Sequence, residues 1–504
     1  MNCSKYHFKN VWLVSGDGSD PRKGELLVSH DGKILSCNES FISCGKVIDG
    51  RGKLLVPGFI DVHGHSDLSV LANPGGFSKV SQGVTTEITG NCGLAPFPLT
   101  PQNREHLQDL YTNYGVDLCW HDYNSYLLHL AEKQVSPDIV PLCGHNSLRA
   151  AVAGYEKQPL SASGLDQMQA FLENMLVSGC PGMSTGLLYV PGKFASDGEL
   201  ICLMKLLARY DRIYTTHLSS EGNLLLESMQ QVFELAGAAS LKRLQISHFK
   251  TAGAANWHKL EAAIELIEQA RRNGINVSVD RYPYTESVTQ LSVILPGEWA
   301  DMDDLAIQKK LQNREEQRHL AALIREMKTP DYWQKARLVS TGSASHRKFC
   351  GRIFAEFSDD PAALAVELLA RDAAGSTAAF AVMSEQNLKR ILQLDYCMPG
   401  SDGYAVDPEH GQGSHPRSWG TFPRFLRMLL EMDVPIGTCI RRATGLPAGT
   451  FGLTDRGVLA EGLRADLVLL DPDELEDCST FAFPCTPARG IKMVFCKGNC
   501  IYRC

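Results

Sequence analysis

The sequence VPGFIDVHGH, residues 56–65, joins a short apolar run to two histidines that are separated by one glycine. Successive side chains of a strand point to opposite faces, so His63 and His65 point to the same side if this run forms a strand. Metal sites of barrel enzymes are built at the carboxyl ends of parallel strands. Two polar loop histidines are the alternative for a bare His-x-His pair, but the preceding strand and the following Ser66-Asp67 favour a metal site.

Three more polar residues occupy similar positions later in the chain. His217 and His248 each end a short apolar run, and Asp402 lies in the sequence MPGSDG, residues 398–403. A lone histidine at a strand end is more often structural than metal-binding. Four histidines followed by an aspartate along an α/β chain favour one shared site instead. Neutral imidazoles and a carboxylate suit Zn²⁺, Ni²⁺ or Mn²⁺.

The order of the predicted elements indicates an α/β chain with β-rich ends. Short apolar strands alternate with amphipathic helices through the middle, as in residues 261–273, where apolar residues recur with a helical period. This alternation predicts repeated β-α units and a parallel sheet. Residues 1–56 and 449–504 consist of short strand-like pieces instead. We therefore predict a catalytic barrel over residues 57–448 and one small domain formed by both ends of the chain.

A charged segment interrupts this alternation between residues 285 and 342. It contains the helical stretch 301–327 and the tripeptide Asp331-Tyr332-Trp333. Barrel loops of this length are usually functional. We predict that residues 285–342 form an inserted, lid-like segment over the barrel mouth.

Composition limits the partners of this chain. Its 504 residues are 44% hydrophobic and 21% charged with a net charge of −8, so no basic face for nucleic acid is expected. The first ten residues lack the apolar core of a signal peptide, and no run of roughly 18 apolar residues could span a bilayer. The 16 cysteines show no regular spacing, which is typical of thiols in a reducing compartment. We expect a cytoplasmic enzyme without a membrane partner.

These residues resemble a known pattern. The order of the histidines and the aspartate is that of the amidohydrolase superfamily, and the surrounding sequence resembles the D-aminoacylases, or N-acyl-D-amino-acid deacylases. The resemblance runs from about residue 5 to about residue 500 and is weakest over residues 285–380. The matching motifs are VPGFIDVHGHSD (56–67), QGVTTEITGNCG (82–93), GHNSLR (144–149), GMSTGLLYVPG (182–192), THLSSEG (216–222), QISHFK (245–250), DRYPY (280–284), GSDG (400–403), HPRSWGTFPR (415–424) and TGLPAGTFGLTDRGVLAEGLRADLVLLDP (444–472).

The resemblance implies a fold and a reaction. The fold is a (β/α)8 TIM-like metal-dependent hydrolase barrel with a small β-sandwich domain formed by both termini. The reaction is zinc-dependent hydrolysis of an N-acyl-D-amino acid to a carboxylate, such as acetate, and a free D-amino acid. A monomer or a small homo-oligomer is expected.

The resemblance also implies the metal ligands. Many members of the superfamily bridge two metals with a carboxylated lysine after the fourth strand, but residues 183–189 contain no lysine. In the D-aminoacylase branch the cysteine of the GNCG turn is a ligand instead. On this basis Cys92, His217 and His248 hold one tight zinc. His63, His65 and Asp402 form a weaker, partly occupied second site.

Substrate contacts follow from the same resemblance. Asp402 accepts the proton of the attacking water and returns it to the leaving amine. The free carboxylate of the substrate is held by Lys250, Arg417 and Tyr189, with Tyr282 as a supporting hydroxyl. A guanidinium suits this task because its planar fork pairs with both oxygens of a carboxylate.

Three alternatives compete with this interpretation. GMSTG, residues 182–186, fits the G-x-S-x-G pattern of serine hydrolases, with His410 or His415 as the base, but leaves the other histidines unexplained. A cyclic-amide hydrolase similar to hydantoinases and dihydroorotases usually keeps the bridging lysine. A non-enzymatic assembly protein of the hydantoinase type tends to lose metal ligands, whereas this chain retains all six candidates.

The side-chain preference is predicted from one apolar stretch. Relatives that prefer acidic D-amino acids place an arginine about a dozen residues after the DRYPY position, where this chain has Val293-Ile294-Leu295. A second buried carboxylate would lack a partner there, so we expect neutral or apolar side chains to be preferred. Arg281, inside the motif, is the one cation nearby, and the sequence leaves its direction open.

Overall fold

Strands of this protein form four sheets in the computed structural model, which describes residues 4–37, 45–111, 115–408 and 414–504. In chain order the strands are β1 (Ser4–Leu13), β2 (Arg22–Ser29), β3 (Ile34–Ser36), β4 (Lys46–Asp49), β5 (Leu54–Pro57), β6 (Phe59–Asp61), β7 (Val84–Thr89), β8 (Asp138–Pro141), β9 (Cys143–Gly144), β10 (Gly182–Gly186), β11 (Ile213–His217), β12 (Arg243–Ile246), β13 (Asn276–Arg281), β14 (Glu286–Gln290), β15 (Ala336–Ser340), β16 (Thr377–Ala381), β17 (Cys397–Pro399), β18 (Leu467–Leu470), β19 (Ile491–Cys496) and β20 (Asn499–Arg503).

Helices follow most of the central strands. In chain order the α-helices are α1 (Ser69–Ala72), α2 (Phe77–Val80), α3 (Arg104–Tyr111), α4 (Tyr123–Glu132), α5 (His145–Ala153), α6 (Ala162–Val177), α7 (Asp197–Arg209), α8 (Leu225–Ala238), α9 (Leu260–Arg272), α10 (Asp304–Lys310), α11 (Arg314–Met327), α12 (Pro330–Gln334), α13 (Pro361–Arg371), α14 (Glu385–Leu392), α15 (Arg417–Glu431), α16 (Ile436–Ala443) and α17 (Gly445–Phe451).

Two parallel sheets carry the predicted site. One consists of β6, β7 and β8, and the other has the order β17-β13-β12-β11-β10-β9. His63 and Asp402 lie just beyond the carboxyl ends of β6 and β17, His217 ends β11, and His248 follows β12. Because the carboxyl ends of parallel strands meet at one edge, these residues converge as the sequence predicted.

The two parallel sheets connect to each other on both sides. Only Leu142 separates β8 from β9, and its N–H donates to Thr89 O at 2.9 Å. At the other side, a parallel bridge pairs Gly64 with Gly403, so the ends of β6 and β17 are neighbours.

Both ends of the chain contribute to one sheet. Its order is β20-β19-β18-β5-β1-β2-β3, and β4 pairs with β1. The C-terminal strand β18 is antiparallel to the N-terminal β5, with Leu467 opposite Pro57. The termini therefore meet, as the strand-like pieces indicated. They do so in a single eight-stranded sheet, and the second layer that a sandwich needs remains a prediction.

An antiparallel sheet with its own core interrupts the parallel strands. Strand β16 pairs with β14 on one side and with β15 on the other, and α10 to α13 pack around them. We call residues 286–381 the inserted layer. It continues past residue 342, the predicted end of the insertion, because β16 is the central strand of this sheet. The predicted helix 301–327 is two helices, since Asn313 caps a new helix start by accepting from Glu315 N.

Helix α9 shows how the sequence positions these elements. The apolar period predicted a helix over residues 261–273, and the structure has one over Leu260–Arg272. Its buried face consists of small and branched apolar residues, including Ala263, Ile264 and Ile267. Arg271 and Arg272 lie in the last turn, where cations interact favourably with the helix dipole. This helix packs beside β13 and follows β12, the strand that precedes His248.

Within the described residues, no helix is both long enough and apolar enough to cross a membrane.

A cluster of charges connects the terminal sheet to the parallel strands. Asp138, at the start of β8, lies 2.7 Å from Arg456, Arg464 and Lys497. Burial alone would raise the pKa of Asp138, but the charges of Arg464 and Arg456 hold it below its ordinary value. The side chain is 21% exposed, so these pairs are only partly screened by water.

We predict that Asp138→Asn lowers the thermal midpoint, with a loss of about 1–2 kcal/mol in unfolding free energy. This lies between exposed and buried ion pairs. The folded pKa of Asp138 is depressed, so its contribution is present above pH 4 and fades as the pH falls below about 4. Thermal unfolding at pH 7 and below pH 4 measures this, with the exposed Asp166→Asn as a control. Equal midpoints for both variants at pH 7 would contradict it.

Candidate metal centre

Cys92 lies at the centre of the candidate site. It follows β7 in the turn of residues 90–93, and its backbone φ is 53°. Its Sγ lies 3.3 Å from His63 Nε2 and 3.6 Å from both His217 Nδ1 and His248 Nε2. The turn therefore brings one thiol into contact with histidines from three different strands.

Backbone strain is concentrated at this site. His248 has a φ of 35° and Asp402 a φ of 50°, so three of the six predicted ligands have positive φ. Residues other than glycine rarely adopt this conformation, and it is found where the surrounding structure enforces it, often at functional sites.

Two groups of donor atoms meet at the thiol. Cys92 forms one group with His217 and His248 and a second with His63 and His65, and within each group the ligand atoms lie within 4.8 Å of one another. For tetrahedral zinc, with Zn–N near 2.0–2.1 Å and Zn–S near 2.3 Å, neighbouring N and S ligands are roughly 3.6 Å apart. The distances from Cys92 to His217 and His248 match that spacing. These residues fit a zinc ion.

The structure changes how the predicted ligands divide between two sites. Cys92 was predicted in the first set alone, but its thiol is also within reach of the second. Asp402 Oδ1 lies 3.0 Å from His65 Nε2 and 3.6 Å from His63 Nε2, as the second set requires. All six predicted ligands therefore converge, and Cys92 stands between the two groups.

Electrostatics favour the metal-binding form of the thiol. Burial alone would raise the pKa of Cys92, but the charge of His63 and the hydrogen bonds with His217 and His248 hold it well below its ordinary value. The thiolate is the form of cysteine that binds a metal.

Two carboxylates that were not predicted from the sequence hold the imidazoles of His63 and His248 in place, and of these Asp280 is buried and Glu221 partly buried. Asp280 lies 3.2 Å from His63 Nδ1, and it also accepts from the backbone N–H of His248 at 2.9 Å. Glu221 accepts from His248 Nδ1 at 2.8 Å. A histidine whose other nitrogen is held in this way presents a fixed tautomer to a metal. The sequence offers a signal for both carboxylates, because Asp280 begins the motif DRYPY and Glu221 lies in the motif THLSSEG.

Asp402 is held by a buried cation. Arg417 Nη1 donates to Asp402 Oδ2 at 2.6 Å, and Arg417 is 4% exposed. Burial alone would raise the pKa of Asp402, but Arg417 and His65 hold it well below its ordinary value. Asp402 is therefore a carboxylate at neutral pH, able to accept a proton. Arg417, predicted to bind substrate, already has an acidic partner.

A buried ion cluster lies beneath the histidines. Lys79 Nζ lies 2.9 Å from Asp61, 3.1 Å from Glu87 and 2.8 Å from Ser401 Oγ, and all four residues are fully buried. Asp61 in turn accepts from the N–H groups of His63 and Ser401. The cluster thus connects the end of β6, the middle of β7 and the turn after β17.

The same cluster explains the glycine between the two histidines. A Cβ on Gly64 would lie 1.8 Å from Glu87 Oε1, so no side chain fits there unless Glu87 moves. Burial raises the pKa of Glu87 to about 7, above its ordinary value.

The site opens into a cavity of about 950 Å³. Five of the six predicted ligands line it, and so do all four residues predicted to contact substrate: Tyr189, Lys250, Tyr282 and Arg417. Lys250 forms an ion pair with Glu221. Tyr189 Oη lies 3.2 Å from Thr289 Oγ1, so the inserted layer contributes to the cavity wall.

The structure shows which residues of the predicted side-chain selectivity line the cavity. Arg281 is 1% exposed, lies over the ring of Tyr282, and donates to Tyr284 O at 2.8 Å, without lining the cavity. Val293 lines the cavity, but Ile294 and Leu295 are buried in the core of the inserted layer. Two of the three residues behind the predicted apolar preference therefore do not line the cavity.

The serine-hydrolase alternative fails on geometry. Ser184 lies in the middle of β10, fully buried, where its hydroxyl donates to Gly90 O and accepts from Gly93 N. A nucleophile elbow would instead expose the serine at a strand-to-helix turn. His410 lies outside the described residues.

Known proteins of the amidohydrolase family are similar to this chain. The profile of the amidohydrolase family matches residues 46–170 and 398–502. N-acyl-D-aspartate deacylase of Alcaligenes xylosoxydans xylosoxydans is 32% identical over 495 residues, which cover 97% of this chain and 90% of that relative.

Solved structures are similar over nearly the whole chain. N-acyl-D-glutamate deacylase of Bordetella bronchiseptica, complexed with zinc and a phosphonate mimic of the tetrahedral intermediate, superposes with a TM-score of 0.83 at 29% identity, covering 99% of this chain and 97% of that one. A D-aminoacylase studied for one-metal activation and second-metal attenuation of its binuclear centre gives 0.82 at 29% identity, with the same coverage. This chain belongs to the D-aminoacylase family of amidohydrolases.

Proposed function

We propose that this enzyme hydrolyses N-acyl-D-amino acids to a carboxylate and a free D-amino acid. The observation that carries the proposal is the convergence of Cys92, His217 and His248 at a cavity that also holds Lys250 and Arg417. Metal ligands beside two cations suit an amide substrate with a free carboxylate. The relatives named above act on substrates of this class.

The metal in this proposal is zinc, held tightly by Cys92, His217 and His248. His63, His65 and Asp402 form a weaker second set, which shares the thiol of Cys92. Bound zinc supplies an acidic water and polarises an amide carbonyl. The histidine orientation comes from Asp280 and Glu221, and the positive φ of Cys92 directs its thiol toward both sets.

Asp402 is the proposed acid–base group. Its carboxylate stands beside His65 at the cavity wall, and Arg417 keeps it ionised. It accepts a proton from the attacking water and delivers it to the leaving nitrogen. Transfer by a positioned carboxylate of this kind contributes roughly 10²–10⁴-fold to the rate.

Lys250 and Arg417 bind the substrate α-carboxylate, with the hydroxyls of Tyr189 and Tyr282 as further donors. Both cations already have acidic partners, so the substrate shares each cation and does not meet an unpaired charge. A guanidinium has five N–H donors and can serve both Asp402 and a substrate.

We also propose that the two parallel sheets are parts of one (β/α)8 barrel, whose small companion domain comes from both termini. Leu142 joins the sheets on one side and the Gly64–Gly403 bridge joins them on the other. Apolar side chains from both sheets, including Ile60 and Ile213, pack in one cluster. Domain limits near residues 57 and 448, a cytoplasmic location and a monomer or small homo-oligomer belong to the same proposal.

A cyclic-amide hydrolase is the second candidate, and it has less support. Strand β10, Gly182–Gly186, lies beside the site and carries no lysine that could bridge two metals. The cavity instead offers Lys250 and Arg417, which suit the free carboxylate of a linear N-acyl amino acid.

The proposal is tested with N-acetyl-D- and N-acetyl-L-amino acids, hydantoin and dihydroorotate as substrates. We expect hydrolysis of the D-series alone, and we expect a strong chelator to abolish it and Zn²⁺ to restore it. Amine release gives the rates, and metal analysis gives the zinc content of the same samples. Faster cleavage of the cyclic amides, or full activity in the metal-free protein, would refute the proposal.

We predict about one tightly bound zinc per chain, and we predict that Cys92→Ala loses both this zinc and at least about 10²-fold in kcat, because its thiolate serves both ligand groups. Metal analysis after gel filtration and steady-state kinetics measure the two effects. Cys202→Ala, a half-buried cysteine on α7, is the matched control. A fully active Cys92→Ala variant would show that this thiol has only a structural role.

Asp402→Asn should keep the tight zinc and lose roughly 10²-fold or more of kcat, since the amide cannot accept the water proton. The exposed Asp395→Asn is the control for a charge change nearby in sequence. Thermal unfolding of both variants shows whether the buried Arg417 tolerates the loss of its partner. A folded Asp402→Asn with wild-type kcat would assign the base to another group.

A further inference from the structure

The cavity continues well beyond the groups that the proposed reaction uses. Its wall on the inserted layer is formed by β14, β15 and β16 and by the loop after β15. Ligand pockets measure about 300–1,000 Å³, so a cavity of about 950 Å³ has room for a substrate larger than an N-acetyl amino acid. Hydroxyl groups line this wall: Ser340 Oγ lies 2.7 Å from Thr377 Oγ1.

One cation stands on this remote wall. Three lysine or arginine side chains line the cavity in the described part of the chain, and Lys250 and Arg417 are paired with Glu221 and Asp402. The third is Arg347, an exposed residue in the loop after β15. Its guanidinium contacts carbonyl oxygens, since Nε donates to Thr341 O at 3.4 Å and Nη2 donates to Gly342 O at 3.3 Å.

Hydrogen bonds to Asp372 hold the loop that carries Arg347. Asp372, at the end of α13, accepts from Gly342 N at 2.6 Å and from Gly375 N at 2.9 Å. A Cβ at either glycine would lie 2.2–2.4 Å from Asp372 Oδ2, so both positions require glycine for this approach. The two carbonyls that hold Arg347 are therefore themselves held in place. The guanidinium keeps its remaining N–H donors for a ligand in the cavity.

We infer that Arg347 binds a second carboxylate of the substrate, remote from the reacting amide. The inference rests on the proposed function, in which Lys250 and Arg417 take the α-carboxylate. Two parts of a substrate could supply the second carboxylate: an acidic D-amino-acid side chain, or a dicarboxylic acyl group such as succinyl. Both present the same planar anion, which a guanidinium binds through two parallel hydrogen bonds.

This inference revises the expected selectivity. The apolar stretch Val293-Ile294-Leu295 suggested that no cation serves a second carboxylate, but only Val293 of these lines the cavity. Arg347 follows it by more than fifty residues, in a part of the chain where the resemblance to D-aminoacylases is weakest. No motif connects the two positions, and only the inserted layer brings them to one cavity.

The test compares kcat/KM of the zinc-loaded wild type, Arg347→Leu and Lys348→Leu on three substrates: N-acetyl-D-leucine, N-acetyl-D-glutamate and N-succinyl-D-leucine. Lys348 is the matched control, because it is an exposed neighbouring cation that does not line the cavity. We expect Arg347→Leu to lose at least about fivefold on one dianionic substrate and to keep wild-type values on N-acetyl-D-leucine. Lys348→Leu should match the wild type on all three.

The substrate that is affected identifies the source of the carboxylate. A loss on N-acetyl-D-glutamate indicates the side chain, and a loss on N-succinyl-D-leucine indicates the acyl group. Equal values for Arg347→Leu and wild type on both dianions, or an equal loss on all three substrates, would overturn the inference. Calorimetric binding of both dianions to wild type and Arg347→Leu tests the subsite separately from turnover. A wild type that hydrolyses none of the three instead refutes the proposed function.

Discussion

The position of one thiol determines how the rest of this site is built. Cys92 is held with a φ of 53° between two pairs of histidines. The charge of His63 and the hydrogen bonds with His217 and His248 keep its pKa well below the ordinary value of a cysteine. A buried thiolate is costly without cations around it. The strands that deliver His63, His217 and His248 must therefore converge on this point. The buried Asp280 and the partly buried Glu221 hold the imidazoles of His63 and His248 in the orientation that a metal needs.

Two sets of buried charged residues stabilise this convergence. Lys79 joins Asp61, Glu87 and Ser401 in a fully buried cluster that connects β6, β7 and the turn after β17. The buried ion pair of Arg417 with Asp402 fixes the acidic residue beside His63 and His65. Arg417 contacts Asp402 directly, Ser401 precedes Asp402 in sequence, and Asp61 accepts from the backbone N–H of His63. If apolar residues replaced Arg417 and Ser401, fewer contacts would hold Asp402 in its strained backbone conformation.

Sequence reasoning was most successful where periodicity or a motif is local. The helix at residues 261–273 and the convergence of six ligands followed from apolar runs, strand ends and the resemblance to D-aminoacylases. It was least successful where contacts are distant in sequence. The sharing of Cys92 by both ligand groups, the pairing of Arg417 with Asp402 and the position of Arg347 depend on tertiary packing. The inserted layer was predicted too short, because its central strand β16 lies far from the charged helices that revealed it.

The central claim is that the Cys92 thiolate binds the tightly held metal together with His217 and His248. X-ray absorption at the zinc edge of protein loaded with one equivalent of Zn²⁺ tests it directly. The account predicts one sulfur ligand at about 2.3 Å together with nitrogen ligands at about 2.0–2.1 Å. A first shell of nitrogen and oxygen alone would contradict it, because the zinc would then sit among the histidines without the thiol.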